Sequence, residues 1–465
     1  MQTLNADYLV VGGGAMGMAF TDTLLEETDA TVILVDRNHQ PGGHWNVAYP
    51  FVRLHQPSSF YGVNSRPLGS DHIDAVGWNK GLYELATGAE VCAYFDAVMQ
   101  QQFLPSGRVQ YFPMCEYTGD GGFHSRVADL SYQANAGRIV DATYMDVAVP
   151  AMRPPTFDVD EAVRCVPPNA LPGLAGDYRR YVIVGAGKTG MDACLFLLRN
   201  GVEPERIGWV MPRDSWMFNR ALIQSGALFE QSVGRGLVMQ TRALAEAASL
   251  EDALERVAAT GFLLRFDPHV WPTMWRCATV TEAELEQLRR IDNVIRQGRV
   301  QRIAPGSITL DGGEVATSVD TLHVDCTADG LARRPPVPVF AGSTITLQAV
   351  RTCQQVFSAA FIAHVDAAYA DEATKNALCE PVPHPDDNVD FLRTSLANLV
   401  AGARWAGDPA LQRWLVQARL DGFSSADGVP GTDPESAAQQ AAMQATAQAA
   451  VANLQRMLAA LDAPS

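Results

Sequence analysis

The segment Tyr8 to Asp36, YLVVGGGAMGMAFTDTLLEETDATVILVD, decides the fold of this 465-residue chain. It starts with an apolar run suited to a buried strand, passes through a glycine-rich turn and a helix, and ends in a second strand that finishes on a carboxylate. Gly12, Gly14 and Gly17 give the spacing G-x-G-x-x-G directly after the first strand. This order predicts a dinucleotide-binding unit, because the N-terminus of the helix offers backbone N–H groups to a pyrophosphate.

The carboxylate that ends the second strand supports the same prediction. Asp36 follows Gly12 by 24 residues, which is the place where a carboxylate accepts both hydroxyls of a ribose. Its neighbour Arg37 is a further candidate for contact with the cofactor. Glycine spacing alone is weak evidence, but the strand, the helix and the terminal Asp provide the expected context.

A second unit of the same kind begins at Tyr181. The strand YVIV is followed by GAGKTGMDACLFLLRNG, so that Gly185, Gly187 and Gly190 repeat the spacing of the first turn. Two complete strand–turn–helix fingerprints in one chain are far more specific than one. We therefore predict two dinucleotide sites.

The second unit differs at the end of its second strand, which runs into Pro212 and Arg213 where the first unit has a carboxylate. An arginine can bind a 2′-phosphate bidentately, whereas a carboxylate would repel it. The sequence therefore favours NADPH over NADH, although Asp214 follows directly and a solvated Arg213 is the alternative. Lys188 and Thr189 lie in the turn and are candidate phosphate contacts; a solvent-facing lysine is the competing interpretation.

A long loop rich in glycine, proline and aromatic residues follows Arg37 and extends to Val63. Binding groups often lie on such loops. Its candidate cofactor contacts are Gly43, His44 and Trp45, and its candidate catalytic residues are Arg53, His55 and Gln56. An ordinary surface loop pinned by its aromatic residues explains the composition equally well.

Composition limits the classes of partner. The chain is 47% hydrophobic, and its formal net charge of −17 argues against binding to nucleic acid or to an anionic membrane. No apolar run reaches the roughly 20 residues that a membrane span needs, and no Lys or Arg precedes Arg37, as it would in a signal peptide. We expect a soluble, cytoplasmic protein.

The eight cysteines are scattered, with no C-x-x-C pair and no Cys/His spacing typical of zinc. We therefore expect neither a metal site nor a local redox disulfide.

Three local motifs resemble those of the class B flavin-containing monooxygenases, a group of flavoproteins with two dinucleotide-binding domains. Gly42-Gly43-His44-Trp45 is similar to the G-G-x-W of that group, Gly185 to Asp192 resembles its G-x-G-x-S-G-x-D, and Val210 to Trp216 resembles its strand-then-Arg segment. The likeness covers about the first 360 residues. The group's hallmark F-x-G-x-x-x-H run before the second fingerprint is missing, which indicates a divergent member.

The resemblance implies an α/β fold with two Rossmann-like domains, an FAD domain with an inserted NADPH domain, and a helical C-terminal region. We expect the first part of the FAD-binding domain at 1–155, the NADPH-binding domain at 175–310, a return to the FAD-binding domain at 311–390 and the helical region at 391–465. Within the return, the strand around residues 321–327 is expected to rejoin the first core.

The resemblance also implies a monooxygenase that uses FAD and NADPH to insert one oxygen atom from O2 into a small organic substrate, through a flavin C4a-hydroperoxide. The alternative is an NADPH-dependent flavin oxidoreductase that passes its electrons to another acceptor. A third possibility is a flavoprotein without enzymatic activity. We expect no nucleic-acid or membrane partner, and the alanine-rich C-terminal helix allows a homo-oligomer.

Overall fold

The computed structural model describes residues 1–423 and 434–463. The described strands, in chain order, are β1 (Gln2–Val11), β2 (Val32–Val35), β3 (Val109–Phe112), β4 (Cys115–Gly119), β5 (Gly122–Ser125), β6 (Ser131–Asp141), β7 (Asp158–Val159), β8 (Cys165–Val166), β9 (Arg180–Val184), β10 (Ile207–Val210), β11 (Ser215–Asn219), β12 (Leu263–Leu264), β13 (Met274–Val280), β14 (Val294–Ile295), β15 (Val300–Ile303), β16 (Ser307–Leu310), β17 (Gly313–Ala316), β18 (Thr321–Asp325), β19 (Phe340–Ala341) and β20 (Thr344–Thr346).

The described α-helices are α1 (Ala15–Glu27), α2 (Gly88–Val98), α3 (Lys188–Arg199), α4 (Arg235–Glu246), α5 (Leu250–Ala259), α6 (Glu282–Leu288), α7 (Gln355–Ala368), α8 (Glu372–Leu378), α9 (Asn388–Ala406), α10 (Pro409–Gln417) and α11 (Pro434–Leu461). None of them is both long enough and apolar enough to cross a membrane.

The first sheet is built around β1, which is fully buried at its C-terminal end. Its central strands run parallel in the order β20-β6-β1-β2-β3, and the hairpin β4-β5 joins β6 in antiparallel fashion. Helices α1 and α7 pack against each other beside this sheet. In an open parallel sheet, ligands bind beyond the carboxyl ends of the strands. Here that edge is formed by the ends of β1, β2, β6 and β20.

The second sheet repeats this plan, with all strands parallel in the order β14-β10-β9-β18-β8. Strand β9 is the predicted strand of the second fingerprint, and α3 follows it. The predicted fold class, α/β with two Rossmann-like units and a helical C-terminal region, is confirmed. Of the predicted helical region at 391–465, residues 424–433 and 464–465 lie outside the described part.

The strand predicted around residues 321–327 lies in the second sheet. We expected the strand around residues 321–327 to rejoin the first core, but β18 pairs with β9, in the register Thr321 with Arg180 and Asp325 with Val184. That prediction was wrong, because a short apolar strand fits the interior of either parallel sheet. Strand β20 makes the return by pairing with β6. The domain boundaries themselves stay a prediction.

A third, smaller sheet matters for the site. It consists of β12, β11 and β13, with β11 and β13 parallel. The side of β13 that carries Trp275 packs against α9, where the Trp275 and Phe391 rings stack with centroids 4.5 Å apart. Helix α11 packs on α4 and α9. The C-terminal helices therefore cover this small sheet.

Candidate functional site

The first glycine turn is closed so tightly that side chains are excluded from it. Gly12 has φ = 106°, a left-handed value that favours glycine. A Cβ atom on Gly17 would lie 1.9 Å from the carbonyl oxygen of Gly12, so α1 can approach the turn this closely only with glycine at that position. The helix N-terminus is thereby held beside the carboxyl end of β1.

The G-G-x-W loop lies directly on this turn. The Gly42 N–H donates to the carbonyl of Gly13 over 2.9 Å, and a Cβ on Gly43 would lie 3.0 Å from the Cα of Gly14. A short 3-10 helix, Gly43–Val47, follows. The ring of His44 stacks on that of Trp45, and burial lowers the pKa of His44 to about 4. The structure therefore brings Gly43 and the first fingerprint together.

Asp36 closes the same site from the end of β2. Its side chain is buried, and it accepts hydrogen bonds from the N–H of Gly13 (2.5 Å) and from the N–H of Asn38 (2.6 Å). Burial raises the pKa of this carboxyl group. Each oxygen keeps a free lone pair for a ribose hydroxyl. The neighbouring Arg37 is exposed, and its only described hydrogen bond is made by its backbone carbonyl, which accepts from Arg126.

Two features of this region fit a bound dinucleotide of the FAD type. A Cβ on Gly14 would touch only the Gly43 backbone, at 3.6 Å, so the other side of the turn is open for a ligand. The hydroxyl group of Tyr111, close to Asp36, is buried and has no hydrogen-bond partner. Buried polar atoms are normally paired, so an unpaired one calls for an explanation.

The second turn has the same construction. Gly185 has φ = 123°, and a Cβ on Gly190 would lie 2.1 Å from the carbonyl oxygen of Gly185. A Cβ on Gly187, in contrast, would meet nothing within 4 Å. The N-terminus of α3 therefore faces free space at the point where a pyrophosphate would approach.

Lys188 does not face solvent as the competing interpretation suggested. Its ammonium group pairs with Asp192 one turn further along α3, and the lysine side chain is 11% exposed. The other oxygen of Asp192 accepts a 2.7 Å hydrogen bond from the hydroxyl group of Tyr49. Burial, followed by the charge of Asp192, raises the pKa of Tyr49. These contacts connect the long loop of the first unit to the second fingerprint.

Arg213 has an acidic partner. Its Nη2 lies 3.0 Å from Asp386 Oδ1, and the same carboxylate pairs with Arg276 and Arg333. Asp214, the carboxylate that argues against NADPH in the sequence, is buried. Arg296 binds it bidentately, with Nε 2.8 Å from Oδ2 and Nη2 3.0 Å from Oδ1. An arginine thus neutralises the carboxylate that would repel a 2′-phosphate.

The three candidate catalytic residues occupy different environments. His55 is half-buried, and burial, followed by Lys188 and Arg220, holds its pKa well below the usual value. Gln56 accepts a 3.2 Å hydrogen bond from Gln354, which precedes α7. Arg53 is exposed and donates to the Leu85 carbonyl at 3.3 Å. The backbone carbonyl of His55 accepts a hydrogen bond from Arg220, which follows β11.

Gln56 also lines a cavity of about 140 Å³ between the small sheet and α9. Its walls are largely apolar and include Phe218, Trp275 and Phe391, together with Cys277 and Cys353. An apolar cavity with a few polar groups is the usual form of a small-molecule site. The position of Gln56 in its wall makes it a candidate substrate cavity.

Comparisons with known proteins agree with this architecture. The chain is 56% identical over 421 residues to the uncharacterized protein Rv2000 of Mycobacterium tuberculosis. The matched segment covers 90% of this chain and 78% of Rv2000. The uncharacterized protein Mb2023 of Mycobacterium bovis matches to the same extent. The chain belongs to the Rv2000 family. No protein-family model matches it.

Two solved structures share the fold of this Rv2000-family chain. The complex of OTEMO with FAD and NADP is similar with a TM-score of 0.52 and 14% identity, over 86% of this chain and 91% of the other. Cyclohexanone monooxygenase bound to ε-caprolactone matches with a TM-score of 0.50 and 14% identity, over 80% and 88%. At this identity the likeness is one of fold. The resemblance to class B flavin-containing monooxygenases is confirmed at that level.

The Rv2000-family chain contains a disulfide between distant cysteines, whereas our expectation of no local redox disulfide stays a prediction. Cys277 on β13 and Cys353, just before α7, are bonded to each other, with their Cα atoms 6.5 Å apart. The ligand-type atoms of these two cysteines and of His384 all lie within 4.8 Å of one another. Cysteine spacing did not indicate this bond, because 76 residues separate the two cysteines. With both sulfurs bonded to each other, the absence of a metal site stays a prediction.

Sequence reasoning also missed Arg220, whose guanidinium group is fully buried. It donates to the carbonyls of His55 (2.8 Å) and Thr279 (3.2 Å) and pairs with Glu284 at 3.0 Å. It therefore fixes the candidate catalytic loop to the second unit. An arginine directly after a buried strand gave no signal that separates this role from a surface position.

Proposed function

We propose that this protein is an FAD-dependent monooxygenase that consumes NADPH and inserts one oxygen atom from O2 into a small organic substrate. The observation that carries the proposal is that one loop contacts both the first glycine turn and the helix that follows the second. Gly42 bonds the first turn through Gly13, and Tyr49 bonds Asp192 in the helix that follows the second turn. Such a loop couples a flavin site to a nicotinamide site.

In this proposal FAD is held by the first unit. Gly12, Gly14 and Gly17 leave room for the pyrophosphate at the N-terminus of α1, and Asp36 accepts the ribose hydroxyls. Gly43, His44 and Trp45 cover the turn, and Arg37 stays a candidate contact at its edge. Bound FAD supplies the electron transfer and oxygen activation, which protein side chains alone do not provide.

The second unit holds NADPH in the same manner, with Gly185, Gly187 and Gly190 at the N-terminus of α3. Lys188 and Thr189 lie in the same first turn of the helix, where the Lys188 charge is balanced by Asp192. We propose that Arg213 binds the 2′-phosphate. When Arg213 binds the phosphate, it releases or shares Asp386. The carboxylate of Asp386 then keeps its ion pairs with Arg276 and Arg333.

His55 and Gln56 are the side chains we propose to act near the flavin. With its pKa held well below the usual value, His55 is neutral at pH 7, so that it offers one N–H donor and no charge. Gln56 is oriented by Gln354, and both line the apolar cavity. Apolar walls exclude water, which protects a reactive oxygen species from side reactions. Arg53 is exposed, and its role as a positive charge that stabilises an anion near the flavin stays a prediction.

The partners follow from the same proposal: a small-molecule substrate and O2, with neither nucleic acid nor a membrane. We also propose a cytoplasmic location. The formation of a homo-oligomer through α11 stays a prediction.

One observation favours a second candidate function, an NADPH-dependent flavin oxidoreductase without oxygen insertion. Transfer of electrons to a disulfide needs two cysteines that can bond to each other, and the spacing of the cysteines does not indicate such a pair. The bonded Cys277 and Cys353 in the wall of the candidate cavity supply such a pair.

The proposal is tested with 18O2. The FAD-loaded protein is incubated with NADPH, 18O2 and a panel of small ketones, amines and thioethers, and products are analysed by mass spectrometry. A monooxygenase yields at least one product with a single 18O atom and one NADPH consumed per product. Complete recovery of the consumed oxygen as H2O2 across the panel, combined with rapid NADPH-dependent reduction of a quinone, would instead establish the second candidate.

A further inference from the structure

The disulfide between Cys277 and Cys353 joins two parts of the molecule that are distant in sequence. Cys277 lies on β13 of the small sheet inserted in the second unit, whereas Cys353 lies between β20, which belongs to the first sheet, and α7. The other six cysteines are free, and four of them are buried: Cys115, Cys194, Cys326 and Cys379. The disulfide therefore links the small sheet to the segment that follows β20 of the first sheet.

The backbone around Cys277 departs from a regular strand. β11 and β13 pair in register at Trp216 with Trp275, but the next pair is Phe218 with Thr279. Residues 276–278 thus bulge opposite a single residue of β11. Bulges often redirect a side chain beside an active site. Here the bulge places Cys277 in the cavity wall.

Both bonded cysteines adopt a left-handed backbone conformation. Cys277 has φ = 53° and Cys353 has φ = 59°. Residues other than glycine rarely adopt such values, and asparagine and aspartate do so more readily than cysteine. Local strain of this kind persists where the surrounding structure holds it and is concentrated at functional sites. Thr352 is held in place by Asn398, whose side-chain oxygen accepts its N–H at 3.1 Å.

The surroundings suit electron transfer to this disulfide. Gln354 directly follows Cys353 and bonds Gln56, the residue that we propose to lie next to the flavin. The N-terminus of the 14-residue helix α7 lies two residues after Cys353 and favours a negative charge there, as on a thiolate. Both cysteines are half-buried and line the cavity, whereas four of the six free cysteines are buried.

His384 provides a nitrogen atom near the two sulfurs. Its Nδ1 is buried and has no hydrogen-bond partner. Burial, followed by Arg276, lowers the pKa of His384 to about 4, so that its ring is neutral at pH 7. A neutral imidazole beside a thiol can accept a hydrogen bond from the S–H group.

We propose that Cys277 and Cys353 are a redox-active pair that cycles between disulfide and dithiol, with electrons from NADPH passed on through the flavin. In the step, the S–S bond breaks and two S–H bonds form. NADPH contributes two electrons and one proton as a hydride, the second proton comes from solvent, and NADP+ leaves. The source of the electrons rests on the proposed function. Disulfides that persist in the cytoplasm are usually catalytic or redox-sensing, which agrees with the location we propose.

The pair is tested by counting thiols. The FAD-loaded protein is mixed with excess NADPH without oxygen, quenched in acid, treated with N-ethylmaleimide and analysed by peptide mass spectrometry, while flavin absorbance is followed in parallel. We expect the flavin to bleach and two further thiols per chain to be alkylated, at Cys277 and Cys353. Bleaching with both cysteines still unlabelled overturns the proposal but leaves the NADPH-dependent flavoprotein intact. A flavin that stays oxidised overturns the proposed function and, with it, this source of electrons.

Matched variants separate the redox role from a structural one. Cys353→Ser should keep its flavin and its bleaching by NADPH, but the protein should take up two fewer electrons per chain in an anaerobic titration. Cys165→Ser, which replaces a half-buried free cysteine on β8, should titrate like the wild type. Equal electron uptake by Cys353→Ser and the wild type would contradict the proposal.

Discussion

The replacement Gly187→Ala separates ligand binding from folding at the second glycine turn. Gly187 is the N-cap of α3, with φ = −78° and ψ = −179°, a conformation that alanine adopts without strain. The added Cβ would meet nothing within 4 Å, so the fold accepts it. At an N-cap, alanine instead of glycine costs about 1 kcal/mol at most. We therefore expect only a small change in the urea midpoint.

The effect on NADPH should be much larger, because the new methyl group occupies the space through which a pyrophosphate approaches the N–H groups of α3. Loss of one charge-assisted hydrogen bond costs about 1.5–3 kcal/mol. Because about 1.4 kcal/mol corresponds to a factor of ten, the NADPH concentration that half-saturates anaerobic flavin reduction should rise roughly tenfold to a hundredfold. Flavin content should stay unchanged.

Gly190→Ala is the contrasting variant. Its Cβ would lie 2.1 Å from the Gly185 carbonyl oxygen, so α3 must move, and both the urea midpoint and NADPH binding should fall. The assay is the rate of flavin bleaching against NADPH concentration, with urea unfolding followed by tryptophan fluorescence. If the flavin of the Gly187→Ala variant is reduced at the same NADPH concentrations as that of the wild type, the placement of the pyrophosphate at the N-terminus of α3 is refuted.

Three further predictions address other parts of the account. Asp36→Ala should lose FAD on dialysis, because a ribose loses its carboxylate partner; a variant that stays yellow would contradict the assignment of the first site. Arg213→Ala should weaken NADPH by about 2 kcal/mol, or roughly thirtyfold, and leave NADH nearly unchanged; equal losses in a comparison of the two KM values would exclude a role with the 2′-phosphate. Burial lowers the pKa of the fully buried His323 from 6.5 to about 4. Between these pH values the unfolded state takes up a proton more readily than the folded state, so the free energy of unfolding should drop by about 3 kcal/mol as the pH falls from 6.5 to 4. His323→Asn should reduce this drop in urea titrations at several pH values, while the exposed control His39→Asn should not.

The sequence predicted the parts of the site that are built from consecutive residues. The strand, glycine turn and helix around Gly12 and Gly185 follow from local periodicity and from turns that only glycine can adopt, and both were found in place. A carboxylate such as Asp36 at the end of the second strand belongs to the same local pattern. These features need no knowledge of the remaining chain.

Features that depend on distant segments were not predictable. The pairing of Cys277 with Cys353 arises where a bulge in β13 meets the segment before α7, and no spacing in the sequence encodes this meeting. The partner of Arg213, Asp386, is 173 residues away. The assignment of β18 to the second sheet depends on its pairing with the distant strands β9 and β8, and the apolar pattern of a buried strand is the same in both sheets.

The most direct test of the central claim is a stopped-flow experiment on the FAD-loaded protein. The flavin is reduced with NADPH in the absence of oxygen, and the protein is then mixed with aerated buffer while spectra are recorded. A monooxygenase should show a transient whose absorbance lies between the bands of the oxidised and the reduced flavin before the oxidised spectrum returns. Direct return of the oxidised spectrum, without a transient at any oxygen concentration, would contradict oxygen insertion and favour transfer of electrons to another acceptor.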